Sequence, residues 1–151
     1  MSVFLALQNN EVFRLFAWWS AALSVKMLCM APLIGHQRFR KKIFLSQEDC
    51  TFIGKNAKVS VDDLDVERPR RAFLNDLENI LPWFISTSVF LTTSPAPSLA
   101  MSLIRTFGIS RVAHTVVYAV VPLPQPARAI AYFVGYTVIA YQSYLTLLYY
   151  S

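Results

Sequence analysis

Charged residues are scarce in this sequence. Only 15% of its 151 residues are charged, while 55% are hydrophobic. At this length the surface of a soluble domain is too large for so few charges to cover. The composition therefore excludes a soluble domain of ordinary composition and predicts a protein embedded in lipid.

Glycine, histidine and cysteine are also few, and their scarcity excludes several kinds of enzyme site. The four glycines form no phosphate-cradling loop, and the two histidines show no metal-ligand spacing. No cysteine is paired with a nearby histidine. The two cysteines, Cys29 in an apolar run and Cys50 in a polar segment, cannot make a disulfide framework.

Long runs without charge are what the sequence has instead. Residues 79–104 and 129–151 contain no charge, and residues 15–35 contain only Lys26. About 20 helical residues cross a hydrocarbon layer of ~30 Å, so each run is long enough to span it. A fourth apolar stretch is interrupted by Arg105, Arg111 and His114. We predict an all-α integral membrane protein, a single four-helix domain over residues 1–151, with spans at residues 12–37, 66–93, 98–121 and 127–148.

A basic run after the first span predicts the orientation. The tendency of positive charge to stay inside places residues 38–42, RFRKK, on the cytoplasmic side, and makes residues 38–65 a cytoplasmic loop. Both termini then lie in the lumen. The same topology explains the net charge of +5 without a nucleic-acid partner, so the expected partner is membrane lipid. Glu11 and Arg14 interrupt the N-terminal apolar stretch and no cleavage site follows, which favours an anchor helix over a signal peptide.

Polar side chains recur inside the spans, where a charge is costly unless it is paired or lines a site. They form three helical stripes in the cytoplasmic half of the predicted bundle. The stripes are Arg71, Asn75 and Glu78 on the second span, Arg111, His114 and Tyr118 on the third, and Arg128 and Tyr132 on the fourth. A pocket between them would be cationic and suit a small anionic ligand. The alternative is an ion-pair network that only holds the helices together.

One segment is distinctive enough to indicate a family. Residues 67–80 read ERPRRAFLNDLENI and resemble the signature of the membrane-associated eicosanoid and glutathione metabolism superfamily. Similar segments occur on both sides of it, at residues 38–42, 48–50, 111–115, 122–129 and 133–136. The resemblance therefore covers the chain from the first span to the fourth.

This resemblance implies a homotrimer of four-helix subunits in the endoplasmic reticulum membrane, with the mitochondrial outer membrane as a second location. It implies glutathione binding near the cytosolic side, between neighbouring subunits. The glutathione-binding residues implied by matching positions are Arg38, Arg70, Arg71, Asn75, Glu78, Arg111, His114, Tyr118, Arg128 and Tyr132. Arg128 would lie nearest the thiol as the catalytic residue, with Tyr132 as a second donor. Cys50 aligns with a regulatory thiol that responds to modification.

Three positions depart from the pattern of the family or of one of its branches. Phe73 stands where the family usually has histidine, Leu74 where the prostaglandin E synthase branch has arginine, and Ala129 where that branch has serine. Leu74 and Ala129 favour the microsomal glutathione transferase branch. We therefore expect conjugation of glutathione, the cosubstrate, to lipophilic electrophiles, together with reduction of lipid hydroperoxides. Prostaglandin E synthesis and an inactive membrane scaffold, the latter favoured by Phe73, are the alternatives.

Overall fold

The structure, a computed structural model, describes residues 9–54 and 56–151. The first eight residues of the predicted domain, and Lys55 of the predicted loop, lie outside this range. Within it the chain forms five α-helices, one π-helical turn and one small sheet. Four of the helices are long and pack together, and they carry the candidate site.

Helix α1 runs from Glu11 to Lys41. Its first turn is capped by Asn10, whose side chain accepts a hydrogen bond from the Phe13 backbone N–H at 3.1 Å. It ends where Lys42 takes a left-handed conformation with φ 56°. The basic residues of the last turn favour the negative end of the helix dipole, so the helix extends four residues beyond the span limit predicted from hydropathy.

The segment between α1 and the next long helix has more structure than the predicted loop. Strand β1, Ile43–Phe44, pairs in parallel with β2, Lys58–Val59, and the short helix α2, Gln47–Ile53, lies between them. The two ends of this segment are linked by an ion pair, because the ammonium of Lys41, at the end of α1, contacts Asp65, at the start of the next long helix, at 2.5 Å. This hydrogen bond lowers the pKa of the Asp65 carboxyl below its ordinary value.

Helix α3 runs from Leu64 to Thr92 and begins at Asp63, whose carboxylate accepts hydrogen bonds from the backbone N–H groups of Asp65 and Val66. A turn with Ser94 at φ 53° ends it, and Pro97 then occupies the first position of α4, Pro97–Thr115. The predicted third span continued as one regular helix to residue 121. The structure instead has a π-helical turn at Val116–Val120.

Helix α5 runs from Ala127 to Tyr150 and packs against both α3 and α4, while α1 packs against the same two helices from another side. The shared core contains Trp83 of α3 and Phe107 of α4, stacked with ring centroids 4.7 Å apart and both fully buried. Thr87 of α3 donates a buried hydrogen bond of 3.0 Å to Gln142 of α5. Aromatic stacking and interhelical hydrogen bonds of this kind are how helices associate in lipid.

Among the described helices, α1 alone is both long and apolar enough by itself to cross a membrane. Charged residues in α3 and α4, and the tyrosines and Gln142 of α5, make those helices less apolar. The helical character predicted from the sequence is confirmed. Membrane crossing by α3, α4 and α5 stays a prediction.

Close packing of α1 on α4 depends on Gly108, and we expect its replacement to destabilise the protein. A Cβ at Gly108 would overlap the ring of Trp19, whereas a Cβ at Gly35 would have no neighbour within 4 Å. Gly108→Ala should therefore lower the thermal unfolding midpoint in detergent, with a cost of about 1–3 kcal/mol. Gly35→Ala is the matched control and should leave the midpoint unchanged or raise it. Equal midpoints for the two variants would contradict the packing.

Candidate active site

A cavity of about 470 Å³ lies between the first half of α3, the end of α4 and the start of α5. Its lining residues are Arg71, Leu74, Asn75, Glu78, His114, Tyr118, Gln125, Arg128, Ala129, Tyr132 and Phe133. Two cations and one carboxylate are among them, so the lining carries a net positive charge. We call this space the polar cavity.

A smaller cavity of about 170 Å³ adjoins the polar cavity toward the start of α3. The two share Arg71, Tyr118 and Arg128, and the smaller one adds Arg68 and Glu67. Glu67 is already engaged, because its carboxylate accepts a hydrogen bond from Arg70 at 3.0 Å. The combined space is therefore an elongated, arginine-rich cleft suited to an extended anionic ligand.

Arg128 lies in the first turn of α5, where no side chain caps the helix. Its guanidinium carbon stands over the Tyr118 ring, 4.5 Å from the centroid. Within the described part of the chain it forms no ion pair. An uncompensated guanidinium at the positive end of a helix dipole can stabilise an anion in the cavity.

Tyr118 lies in the π-helical turn and lines the polar cavity. Its ring packs edge-on against His114, with centroids 5.5 Å apart, and lies under Arg128 on the other side. Tyr132, one turn after Arg128, also lines the cavity and stacks on Tyr136. A π-turn next to an α-helix often marks a functional position, and here it directly follows α4.

Behind the cavity wall lies a buried ion network centred on Asp76. Its carboxylate accepts a hydrogen bond from Arg111 Nη2 at 2.8 Å and from Thr115 Oγ1 at 3.2 Å, and Lys26 Nζ lies 2.6 Å away. Asp76 and Arg111 have no exposed side-chain surface. One carboxylate between two cations leaves one buried positive charge next to the polar cavity.

The structure brings seven of the ten predicted site residues together around the polar cavity. They are Arg71, Asn75, Glu78, His114, Tyr118, Arg128 and Tyr132. Arg111 points into the bundle and contacts Asn75 and His114 from behind instead of lining the cavity. Arg70 pairs with Glu67, and Arg38, near the end of α1, is not among the lining residues.

Lys26 and Asp76 form the structural centre of this region, and neither was among the predicted site residues. A signal existed for Lys26, since it is the only charge in residues 15–35 and a charge inside a span requires a partner. Asp76 lies between Asn75 and Glu78 in sequence, but its side chain is fully buried and does not line the polar cavity. Helical periodicity does not indicate which residue of α1 contacts Asp76.

The positions that distinguish the family branches fall on different sides of α3 and α5. Leu74 and Ala129 line the polar cavity, so a substitution at either changes the ligand's surroundings. Phe73 lines a separate apolar cavity with Ser24, Met27 and other residues of α1, where its ring packs without touching the polar cavity. Replacement of the usual family histidine therefore leaves the polar cavity lining unaltered.

Cys50 lies in helix α2 and is buried, with 6% of its surface exposed. The sequence placed it in a polar loop, but the Ser46 cap and the small sheet fold that segment into a short helix that covers the thiol. A modifying reagent would reach the sulfur only if α2 moved. The regulatory role of Cys50 stays a prediction.

Comparison with known proteins identifies the family of this chain. The MAPEG family profile matches residues 16–148. Microsomal glutathione S-transferase 1 from Homo sapiens is 41% identical over 140 residues, covering 90% of this chain and 89% of its own length. The Bos taurus protein of the same name is 42% identical, with 91% and 90% covered. Prostaglandin E synthase from Bos taurus is 37% identical, with 85% and 82% covered.

The helical bundle with its charged cavity fits a class of membrane-associated proteins. The chain belongs to the MAPEG family.

Removal of the Asp76 charge should destabilise the protein strongly. Asp76→Asn leaves Lys26 and Arg111 buried without a counter-ion, which costs about 3–5 kcal/mol, so the thermal midpoint in detergent should drop sharply. Asp65→Asn is the matched control, because its ion pair with Lys41 is exposed and should contribute little. A normal midpoint for Asp76→Asn would show that the network is dispensable.

Proposed function

We propose that this protein is a membrane glutathione transferase that conjugates glutathione to lipophilic electrophiles and also reduces lipid hydroperoxides with it. The observation that carries the proposal is the position of Arg128, unpaired among the described residues, at the start of α5 in an arginine-rich cavity. The relatives named microsomal glutathione S-transferase 1 support the same reaction class.

The charges of the polar cavity complement those of glutathione. The tripeptide carries two carboxylates and one ammonium at neutral pH, and reaction requires a further negative charge on sulfur. Arg71 and Arg128 offer guanidinium groups to the anionic parts, and the exposed Glu78 offers a carboxylate to the ammonium. Asn75, His114 and the phenols supply neutral hydrogen-bonding groups.

Arg128 activates the thiol by stabilising its anion. A thiol with an ordinary pKa of about 8.5 is about 3% ionised at pH 7, and the thiolate is the nucleophile. Lowering that pKa to about 6.5 raises the ionised fraction about 25-fold and requires about 2.7 kcal/mol of preferential stabilisation. A guanidinium supplies this because it keeps its proton when partly buried, and the dipole of α5 adds to it. Tyr132 donates a second hydrogen bond.

A homotrimer would account for the predicted residues that lie outside the polar cavity. Arg38 Nη1 is buried and has no hydrogen-bond partner among the described residues, which suits contact with a ligand or a neighbouring subunit. Large apolar side chains are exposed along α1, including Leu28 at 73% and Val25 at 58%, as required for contact with lipid or another subunit. We propose that Arg38 and Arg70 complete the site from a neighbouring subunit.

We place the protein in the endoplasmic reticulum membrane, and also in the mitochondrial outer membrane, with the polar cavity facing the cytosol. The basic end of α1 supports this orientation, because positive residues favour the cytoplasmic side. The uncharged run at residues 79–104 then leads to the lumenal turn. Lipophilic substrates would reach the cavity from the bilayer.

Parallel assays test the reaction class. Detergent-purified protein is given glutathione with an aromatic halide, a lipid hydroperoxide or a prostaglandin endoperoxide. We expect turnover of the halide or the hydroperoxide and poor conversion of the endoperoxide, since the cavity has Leu74 and Ala129 in place of arginine and serine. Selective prostaglandin E formation would assign the chain to the other branch. No heat in isothermal titration with glutathione would assign it to an inactive scaffold.

The role of Arg128 has a direct optical test. At saturating glutathione and neutral pH, the ultraviolet thiolate band should be present in the wild-type protein and vanish in Arg128→Ala, with partial binding retained. Arg105→Ala is the control, because Arg105 is an exposed arginine on α4 outside the cavity lining. A full-strength band in Arg128→Ala would move the role to another residue, with Arg38 the next candidate.

A further inference from the structure

Arg111 is fully buried, and one of its nitrogens contacts two residues of the polar cavity lining. Nη2 lies 2.8 Å from Asn75 Oδ1 and 3.3 Å from His114 Nδ1, and it also lies 2.8 Å from Asp76 Oδ1. A guanidinium has donors and no acceptors. Each atom that contacts Nη2 must therefore act as an acceptor. This requirement determines which polar atom Asn75 and His114 turn toward the polar cavity.

Asp76 is the charged partner that anchors the Arg111 guanidinium. Asp76 receives Arg111 on one oxygen and Thr115 on the other, while Lys26 approaches from α1. Lys26 Nζ also donates to the Arg111 backbone oxygen at 3.2 Å, which ties the same turn of α4 to α1. Three helices thus hold the guanidinium in place, and Asp76 is the charged partner among the residues that Nη2 contacts.

Asn75 is fixed in one of its two amide orientations by this contact. Since Arg111 donates, the amide oxygen must face Arg111, and the NH₂ group must face away from it. Asn75 also lines the polar cavity. The cavity therefore receives an N–H donor at this position, not a carbonyl oxygen.

His114 is fixed in one tautomer by the same reasoning. A proton on Nδ1 would oppose the N–H of Arg111, so Nδ1 keeps its lone pair and the ring proton resides on Nε2. The Arg111 contact is on one edge of the ring. Among the described residues the other edge has no hydrogen-bond partner, so it can serve the cavity that His114 lines. His114, like Asn75, therefore offers a donor to a ligand.

We infer that Asp76, acting through Arg111, is a positioning residue that makes Asn75 and His114 present N–H donors to the carboxylates of glutathione. This inference rests on the proposed function. It assigns the buried network a role in ligand binding beyond holding helices together, and it assigns Asp76 and Lys26 to the site although neither lines the cavity. Arg128 remains the group that ionises the thiol, so the two roles are separable by experiment.

Asn75→Asp tests the amide orientation. The variant keeps an oxygen for Arg111 but replaces the cavity-facing NH₂ group with a second carboxylate oxygen. We expect the Kd for glutathione by isothermal titration to rise at least about 10-fold, because a charge-assisted hydrogen bond is lost. The KM for glutathione should rise in parallel while kcat at saturating glutathione stays within about 3-fold. Asn56→Asp adds the same charge in the segment between α1 and α3 and should bind normally.

A double-mutant cycle tests the route through Asp76. If Asp76 acts on glutathione through Asn75, the effects of Asp76→Asn and Asn75→Ala on the Kd should be strongly non-additive. Thr115→Val replaces Asp76→Asn in the cycle if the latter does not fold, since it removes one donor to Asp76 without burying an uncompensated charge. Additive effects would overturn the positioning role.

The two levels of the proposal fail in different ways. A wild-type protein that binds no glutathione refutes the proposed function, together with the inference that rests on it. Normal glutathione binding by the wild type and by Asn75→Asp refutes the inference alone and leaves the proposed function intact.

Discussion

The carboxylate of Asp76, buried between Lys26 and Arg111, is the interaction on which the rest of this structure depends. It joins α1, α3 and α4 at one depth, 2.6 and 2.8 Å from its two cationic partners. In a medium that solvates charge poorly, such a group is tolerated only when its partners are in place. Two of these helices, α3 and α4, also line the polar cavity, so the ion network behind the cavity holds part of its wall in place.

The bundle concentrates its charge at one end. The first half of α3, the end of α4 and the start of α5 meet there, whereas residues 79–104, which include the rest of α3, contain no charge. At the charged end, α5 presents the positive end of its dipole and Arg128 to the polar cavity. Antiparallel packing therefore combines a cationic site with an apolar remainder, which suits a reaction between a polar thiol and a lipophilic partner.

Sequence periodicity grouped Arg71, Asn75 and Glu78 on one face of α3, and all three line the polar cavity. It grouped Arg111 with His114 on α4, but Arg111 does not line the cavity, because Asp76 draws its guanidinium inward. Hydropathy placed the end of the first span where charge begins, although the helix continues to Lys41. The fold of residues 43–59 depends on caps and a short parallel pairing, which leave little trace in composition.

Arg111 and Arg128 illustrate two uses of one residue type in a membrane bundle. Arg111 is paired, fully buried and held by three helices. Its charge is largely neutralised by Asp76, and its role is to orient Asn75 and His114. Arg128 is half-buried. Among the described residues it contacts the Tyr118 ring and pairs with no carboxylate, so its charge is available to a ligand. Donors that are oriented before a ligand arrives reduce the entropy lost on binding. The unpaired guanidinium of Arg128 beside these donors can then stabilise the glutathione sulfur, the atom whose charge changes during the reaction.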